Sequence, residues 1–479
     1  MDFGYKKMYI GGQLCDAEAG EKKDVICPAT GKSVGQIAWA SKKDTQKALE
    51  AAQKGFEYWS KLSIAERNEW IARLRDQVIA HQELLQGAVV HEMGKTWDSA
   101  LEDYESLVNA LEWYPQEIKR TRGEVIPDVE GTHQHFLTHE SRGVVAAILA
   151  WNFPLLNLSF KIGPALAAGC SIILKPSKES PISAYIVGEL CHKIGFPAGV
   201  VNVICGSAQN TSIPLCESTI PRVLTMIGSS ETGRKMIDQS TASIKKFGME
   251  LGGNAPALIF EDCDLDDAVN GMAALKYGNC GQVCVSPNRI FVQASIYDEF
   301  VKKFVAKAKA IKVGFGKDSG ADMGPLIDVT ARDRVMAVID NAVKNGARIL
   351  CGGKIPAGMP KGSSFLEPTV LENVKPCTDA FRKEMFGPVA TLIKFESEEE
   401  LRSMINVPDA GLSSYLYTKD ITRIQFYTRF MEYGEVHVNG FKFAIYLPHG
   451  GIKDSGLGHD CSHLALEDYL QIKRVTIKI

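Results

Sequence analysis

From residue 143 onward the chain alternates short apolar runs with helical segments, and this alternation constrains the fold more than any other feature. The runs are Val144–Leu149, Ile172–Leu174, Val200–Ile204 and Val223–Met226, and helical spacing fills the gaps, as in Ile182–Ile194. Strands separated by helices pair side by side through crossovers, which gives βαβ units and a parallel sheet. Ligands of such sheets sit beyond the carboxyl ends of the strands, so the residues just after each run are the ones to inspect. A second α/β stretch spans about 255–435, with Pro256–Phe260, Arg289–Gln293, a helix at Tyr297–Ile311 and Val389–Phe395. A chain of 479 residues exceeds one ordinary core, so two or more domains are expected.

The flanking regions read differently. Residues 8–40 look like short strands and turns, and 42–118 like helices, with Ala48, Ala51, Ala52, Phe56 and Trp59 at helical spacings. Ser63-Ile64-Ala65-Glu66 is a capping-box signal, and Trp70, Ile71, Leu74 and Val78 mark a buried stripe behind it. The polar stretch 121–139 predicts an extended hairpin. The tail ends in an alternating strand, with Arg474, Thr476 and Lys478 against Val475, Ile477 and Ile479. Such a strand is an edge that calls for a partner, including another subunit.

Composition narrows the classes. A net charge of -3 supplies no basic field for nucleic acid. No apolar stretch approaches the ~20 residues of a membrane span, and the start lacks a signal-peptide core. A cytoplasmic protein with no nucleic-acid or membrane partner is therefore expected. Twelve cysteines are scattered without a CxxC pair, so a disulfide framework is not expected. His133-x-His135 and Cys461-x-His463 are too sparse for a metal site.

Chemistry concentrates in two glycine-rich settings, 34 residues apart: Glu250 in Glu250-Leu251-Gly252-Gly253, and Cys284 in Gly281-Gln282-Val283-Cys284. A thiolate can attack a carbonyl carbon and hold the product as a thioester. A carboxylate nearby can activate the water that releases it. With an electron acceptor, the pair points to oxidation of an aldehyde to an acid. Taken singly, Cys284 reads as a buried core cysteine with Cys280 as competitor, and Glu250 as a surface glutamate at a turn.

Other candidates follow the runs. Asn152, in Trp151-Asn152-Phe153-Pro154, can offer its amide to an oxyanion or simply make a turn. Lys175-Pro176-Ser177-Lys178 and Gly228-Ser229-Ser230-Glu231-Thr232-Gly233 stand where a βαβ sheet holds a dinucleotide, or are ordinary loops. The second is not a GxGxxG fingerprint.

Jointly, these motifs and Glu384-Met385-Phe386-Gly387-Pro388 resemble the aldehyde dehydrogenase superfamily, in its non-acylating, NAD(P)-dependent branch. The resemblance runs from Met8-Tyr9-Ile10-Gly11-Gly12 through Pro448-His449-Gly450-Gly451. It implies an α/β fold of two parallel-sheet domains plus a small β oligomerisation arm. The dinucleotide-binding domain would take 1–120 and 140–250, the catalytic domain 251–435, and the arm 121–139 with 460–479. It implies Cys284 as nucleophile, Glu250 as hydrolytic base and Asn152 in the oxyanion hole. Cofactor would be held by Trp151, Lys175, Ser177, Lys178, Gly228, Ser229, Leu251, Glu384 and Phe386. A homodimer or homotetramer is implied as well.

The sequence also departs from that family. Where many NAD-dependent members carry a glutamate beside the ribose, this chain has Lys178. An ammonium there attracts a 2′-phosphate, so NADP or NAD is expected, with a slight preference for NADP. The positions matching the substrate arginines of succinate semialdehyde dehydrogenases are Phe160 and Gly278, which disfavours that substrate. His449 stands where many relatives have Phe. The expected pocket comprises Phe153, Asn157, Phe160, Val283, Val285, Lys442 and His449. It fits a short polar aldehyde, such as lactaldehyde, glyceraldehyde or one with an anionic group. Phe153 and Phe160 alternatively favour an aromatic or medium-chain aliphatic aldehyde.

Overall fold

The computed structural model describes residues 1–359 and 362–479. The alternating runs assemble into one eight-stranded sheet. Its interior is parallel, in the spatial order Lys246–Glu250, Pro221–Ile227, Val144–Ile148, Ser171–Lys175, Val201–Val203. Antiparallel strands close both sides: Gly456–Leu457 next to Lys246–Glu250, and Met8–Ile10 followed by Gln13–Cys15 next to Val201–Val203. Val144 to Ala147 and Ile172 to Leu174 are buried on both faces, as a sheet covered by helices on each side requires.

The helical region begins with Lys42–Trp59, Ile64–Ala80, Gln82–Met93 and Trp97–Glu117. The capping box read at Ser63 is present: Glu66 N donates to Ser63 Oγ at 3.2 Å, and Ser63 N donates to Glu66 Oε2 at 2.8 Å. Ser41 and Asp44 form the same device at the preceding helix. Each such cap contributes about 1 kcal/mol. Ala48, Ala52, Ile71, Leu74 and Val78 are buried as expected, whereas Ala51, Phe56 and Trp70 are only half-buried. Trp70 lies between the Arg73 guanidinium at 4.7 Å and the Phe196 ring at 5.8 Å.

A seven-stranded sheet holds the second α/β stretch, ordered Arg348–Cys351, Thr369–Glu372, Val389–Phe395, Pro287–Gln293, Ala255–Ile259, Ser413–Tyr417, Glu435–Val438. All its pairings are parallel except the first. Each of the two large sheets has its own apolar cluster.

The third sheet joins Glu124–Ile126, His133–Ser141 and the tail strand Leu470–Lys478. The hairpin expected at 121–139 thus extends to Ser141, and the tail pairs along it from Leu470↔Ser141 to Lys478↔His133. Residues ahead of that strand form the helix Leu464–Tyr469 rather than more sheet. Among the described residues no helix is long and apolar enough to cross a membrane. No group of three metal-ligating side chains is found among them either.

Candidate active site

The site forms where loops from both large sheets meet, and glycines make that meeting possible. A Cβ on Gly281 would lie 2.1 Å from the Gly387 carbonyl oxygen, and Gly281 has φ +68°. A Cβ on Gly253 would lie 2.2 Å from the Cys284 carbonyl oxygen. Backbone therefore packs directly on backbone among the loops bearing Glu250, Cys284 and Glu384. Asn279 and Cys280 precede Gly281 with φ of 47° and 58°. Three successive left-handed residues turn the chain sharply out of the helix Leu265–Tyr277 and present Cys284 before the strand Pro287–Gln293. This backbone is strained for Asn279 and Cys280, and interlocked amides hold it. Asn279 Nδ2 donates to the Asn152 carbonyl at 2.9 Å, and Gln282 Nε2 donates to the Pro325 carbonyl at 3.3 Å.

Asn152 follows the strand Val144–Ile148 and is buried. Its Nδ2 donates to the Gln282 carbonyl at 3.0 Å, aiming the amide at the Cys284 loop. Asn157 Nδ2 donates to Asn152 Oδ1 at 3.2 Å and to the Ala150 carbonyl at 3.2 Å. Asn157 is buried, and its bond to Oδ1 fixes which end of the Asn152 amide faces the cysteine loop. Among the described residues no hydrogen bond engages the Cys284 N–H, and Cys284 itself is half-buried.

Glu250 ends the strand Lys246–Glu250 and is 4% exposed, so it is not a surface turn residue. Neither of its carboxylate oxygens has a hydrogen-bond partner among the described residues. His449 lies beside it, with Nε2 3.8 Å from Glu250 Oε2. Burial pushes the Glu250 carboxyl well up, opposed by His449 and reinforced by Asp460. Buried polar groups are normally paired, so an unpaired carboxyl beside a thiol marks a functional position. Cys280 is the poorer candidate: it is buried, and desolvation drives its thiol far above the usual range.

The ring of His449 faces Cys284 on one side and binds Glu435 on the other, Nδ1 to Oε1 at 2.6 Å. Glu435 also accepts from the Ser413 hydroxyl and lies 3.4 Å from His437 Nε2. Burial works against the Glu435 carboxylate, but these partners hold it at about 2. The sequence reading missed Glu435. Its signal was the alternation Glu435, His437 at the start of a strand, which places both on one face, with His449 following.

Most cofactor candidates follow strands of the first sheet, whereas Glu384 and Phe386 precede the second-sheet strand Val389–Phe395. The Trp151 and Phe386 rings meet edge to face, with centroids 5.4 Å apart. Glu384 Oε1 accepts from Gly253 N at 3.0 Å, and burial raises the Glu384 carboxyl to about 7. Ser229 caps the helix Ser230–Asp238. Gly228 N donates to the Glu250 carbonyl at 3.0 Å. Leu251 packs where a Cβ on Gly233 would stand, at 2.9 Å. Lys175 ends the strand Ser171–Lys175, and its ammonium forms no hydrogen bond or ion pair among the described residues. Ser177 is engaged otherwise, donating to the Glu179 carboxylate. Lys178 is exposed and lies 3.6 Å from Glu179. An open lysine at a strand end, a helix N-terminus and two crossed rings fit a dinucleotide.

The remaining pocket candidates divide. Phe160 packs beside His449 at 6.1 Å, Val283 is half-buried beside the thiol, and Val285 is buried with its carbonyl accepting from Tyr415 Oη at 2.6 Å. Phe153 is covered by the Lys95 ammonium, 3.2 Å from its ring centroid, and Lys95 is itself paired with Asp103 at 3.0 Å. Lys442 is exposed, with its ammonium 5.5 Å from the Tyr446 ring.

Comparison with known proteins gives the same frame. The model of the "Aldehyde dehydrogenase family" matches residues 15–475. Glutarate-semialdehyde dehydrogenase of Pseudomonas putida is 39% identical over 475 residues, covering 99% of this chain and 98% of that protein. The NADP(+) succinate-semialdehyde dehydrogenase of Escherichia coli is 38% identical, covering 98% and 97%. The crystal structure of succinate-semialdehyde dehydrogenase from Burkholderia pseudomallei superposes with a TM-score of 0.96 at 39% identity, covering 99% of this chain and 98% of that one. Similarity of this extent decides the family: the chain belongs to the aldehyde dehydrogenase family and is an NAD(P)-dependent aldehyde dehydrogenase.

Proposed function

We propose that the chain oxidises a short polar aldehyde to its acid, with Cys284 as nucleophile, Glu250 as hydrolytic base, and Asn152 with the Cys284 N–H as oxyanion donors. One observation carries this reading: a buried carboxyl without a hydrogen-bond partner shares the His449 ring with an accessible thiol. The Cys284 thiolate adds to the aldehyde carbon, and the displaced C=O pair becomes an oxyanion facing the two donors. Bound NAD(P) supplies the hydride acceptor; Trp151, Phe386 and Glu384 would hold its nicotinamide end, and Lys175 and Ser229 its ribose and phosphates. Loss of hydride leaves a thioester on Sγ. Glu250 then takes a proton from water, the water oxygen attacks the thioester carbon, and the C–S bond breaks to free the acid.

The substrate reading needs one correction. Phe160 and Gly278 replace arginines and disfavour succinate semialdehyde by sequence, yet relatives along the full chain are named for succinate and glutarate semialdehydes. That exclusion does not stand. Short aldehydes with an acidic end join the hydroxyaldehydes as the favoured class, supported by those relatives and by the polar His449 beside the thiol. Reduced-nicotinamide absorbance with glyceraldehyde, lactaldehyde, succinate and glutarate semialdehydes, benzaldehyde and hexanal tests this. We expect kcat/KM for the best short polar aldehyde to exceed that for benzaldehyde and hexanal by about tenfold or more, or ~1.4 kcal/mol. Activity confined to benzaldehyde or hexanal would make Phe160 the dominant selector instead.

The slight preference for NADP is proposed from Lys178, whose exposed ammonium has only Glu179 nearby. Lys178→Glu should lower the NADP-to-NAD ratio of kcat/KM by about tenfold, the scale of one charge-assisted contact. An unchanged ratio would remove Lys178 from cofactor choice. We further read 1–120 with 140–250 as the dinucleotide-binding domain, 251–435 as the catalytic domain, and 121–139 with 460–479 as an oligomerisation arm. The tail strand is an unpaired edge with Ile472, Ile477 and Ile479 exposed, which supports pairing between copies as a homodimer or homotetramer.

A further inference from the structure

His449 has three polar neighbours where one would suffice to satisfy it. Its Nδ1 is 2.6 Å from Glu435 Oε1, its Nε2 is 3.8 Å from Glu250 Oε2, and its ring faces the Cys284 thiol. The imidazole is thus oriented as in any base that is braced at one nitrogen and works with the other. The bracing is built in depth. The register sets Ser413 opposite Glu435 across adjacent strands, and the Ser413 hydroxyl donates to that carboxylate. His437 lies on the same face, stacked on Tyr415 at 5.3 Å. The backbone of His449 is pinned as well: its N donates to the Asp460 carbonyl at 2.8 Å and its carbonyl accepts from Asp460 N at 2.7 Å. Asp460 is in turn clamped by Lys161 Nζ at 2.6 Å.

We propose that His449 is the base that takes the Cys284 thiol proton, held in position by Glu435, so that Glu250 is left for the water step alone. This rests on the reading of Cys284 as nucleophile. The Sγ–H bond breaks, an Nε2–H bond forms, and Nδ1–H stays with Glu435. No net charge enters the cavity: a thiol, an imidazole and a carboxylate become a thiolate, an imidazolium and a carboxylate, with opposite charges adjacent. When the thioester is later hydrolysed, the thiolate is expelled beside that imidazolium.

The other groups near His449 fit this division. Burial raises the Glu250 carboxyl well above its usual range, and Glu250 disfavours a thiolate at Cys284 less than His449 favours it. Cys461 is a buried thiol driven far up by desolvation, and Lys161 is committed to Asp460. Tyr415 spends its hydroxyl on the Val285 carbonyl. Phe160 and Phe443, at 6.1 and 6.4 Å, keep the ring's surroundings apolar. For His449 itself, burial favours the neutral ring, but the bonds to Cys284 and Glu435 outweigh it and raise its pKa well above the ordinary value.

The test is the pH dependence of Cys284 alkylation by iodoacetamide in the whole protein without cofactor, followed by mass spectrometry of the Cys284 peptide. Iodoacetamide is uncharged, so its rate follows the thiolate fraction. We expect His449→Phe and His449→Gln to move the midpoint up by at least about one pH unit, a tenfold loss of thiolate below it. Glu435→Gln should move it in the same direction. His449→Gln keeps a polar side chain and guards against misfolding of the Phe variant, with circular dichroism as the check. Midpoints unchanged in both folded His449 variants would overturn the proposal. Failure of the underlying reading looks different: full dehydrogenase turnover by Cys284→Ala would remove the nucleophile, and this proposal with it.

Discussion

Cys284→Ala is expected to lower dehydrogenase turnover by about 10⁴-fold or more, the scale seen when a covalent nucleophile is deleted. NAD(P) affinity should stay within about twofold, because the cofactor candidates stand on other elements. Trp151 follows Val144–Ile148, Lys175 ends Ser171–Lys175, and Ser229 follows Pro221–Ile227. The backbone that presents Cys284 is fixed independently of its side chain, through the Gly281 and Gly253 contacts and the Asn152–Gln282 bond. An alanine therefore leaves the loop in place and removes only the sulfur. Cys280 cannot substitute, since it is fully buried at a left-handed residue. Absorbance at the reduced-nicotinamide band gives the turnover, and calorimetric titration gives cofactor binding. Substantial remaining turnover would refute the assignment of Cys284. Loss of cofactor binding together with activity would mean that the loop had collapsed.

Much of this was legible in the sequence because it is encoded locally. The period change after residue 143 announced the parallel sheet, Ser63 and Glu66 announced a helix start, and the motif order around Asn152, Glu250 and Cys284 announced the family and with it the chemistry. What stayed hidden depends on contacts between distant segments. The amide bond from Asn157 to Asn152 shows only in the folded chain. So does the Lys95 ammonium, paired with Asp103, over the Phe153 ring. The alternation of Glu435 with His437 was a weak local sign. It acquires meaning only when the strand Glu435–Val438 is placed beside Ser413–Tyr417 and the following loop folds His449 back onto it. Likewise, the carbonyl oxygens of Cys284 and Gly387 that stand where side chains of Gly253 and Gly281 would be are visible only in the fold.

Glu250→Gln should separate the two halves of the reaction. A rapid-mixing experiment is expected to show a burst of reduced nicotinamide of up to one equivalent per active site. The steady rate that follows should fall by about 10²–10⁴-fold, the usual contribution of a positioned general base. Glutamine keeps the shape of a side chain whose oxygens have no hydrogen-bond partners among the described residues, so the substitution removes the basicity and little else. The pH dependence follows from burial, which raises the Glu250 carboxyl well above its usual range. Only the ionised form can accept a proton from water. Wild-type steady turnover should therefore climb as pH rises toward that elevated pKa, whereas the glutamine variant should lack this limb. If His449 deprotonates Cys284, the burst rate should survive in the variant, since thiolate formation does not pass through Glu250. Steady turnover near the wild-type rate would show that Glu250 is not the required base. Recovery of the variant by added coenzyme A would show that the thioester had formed and that only its attack by water was lost.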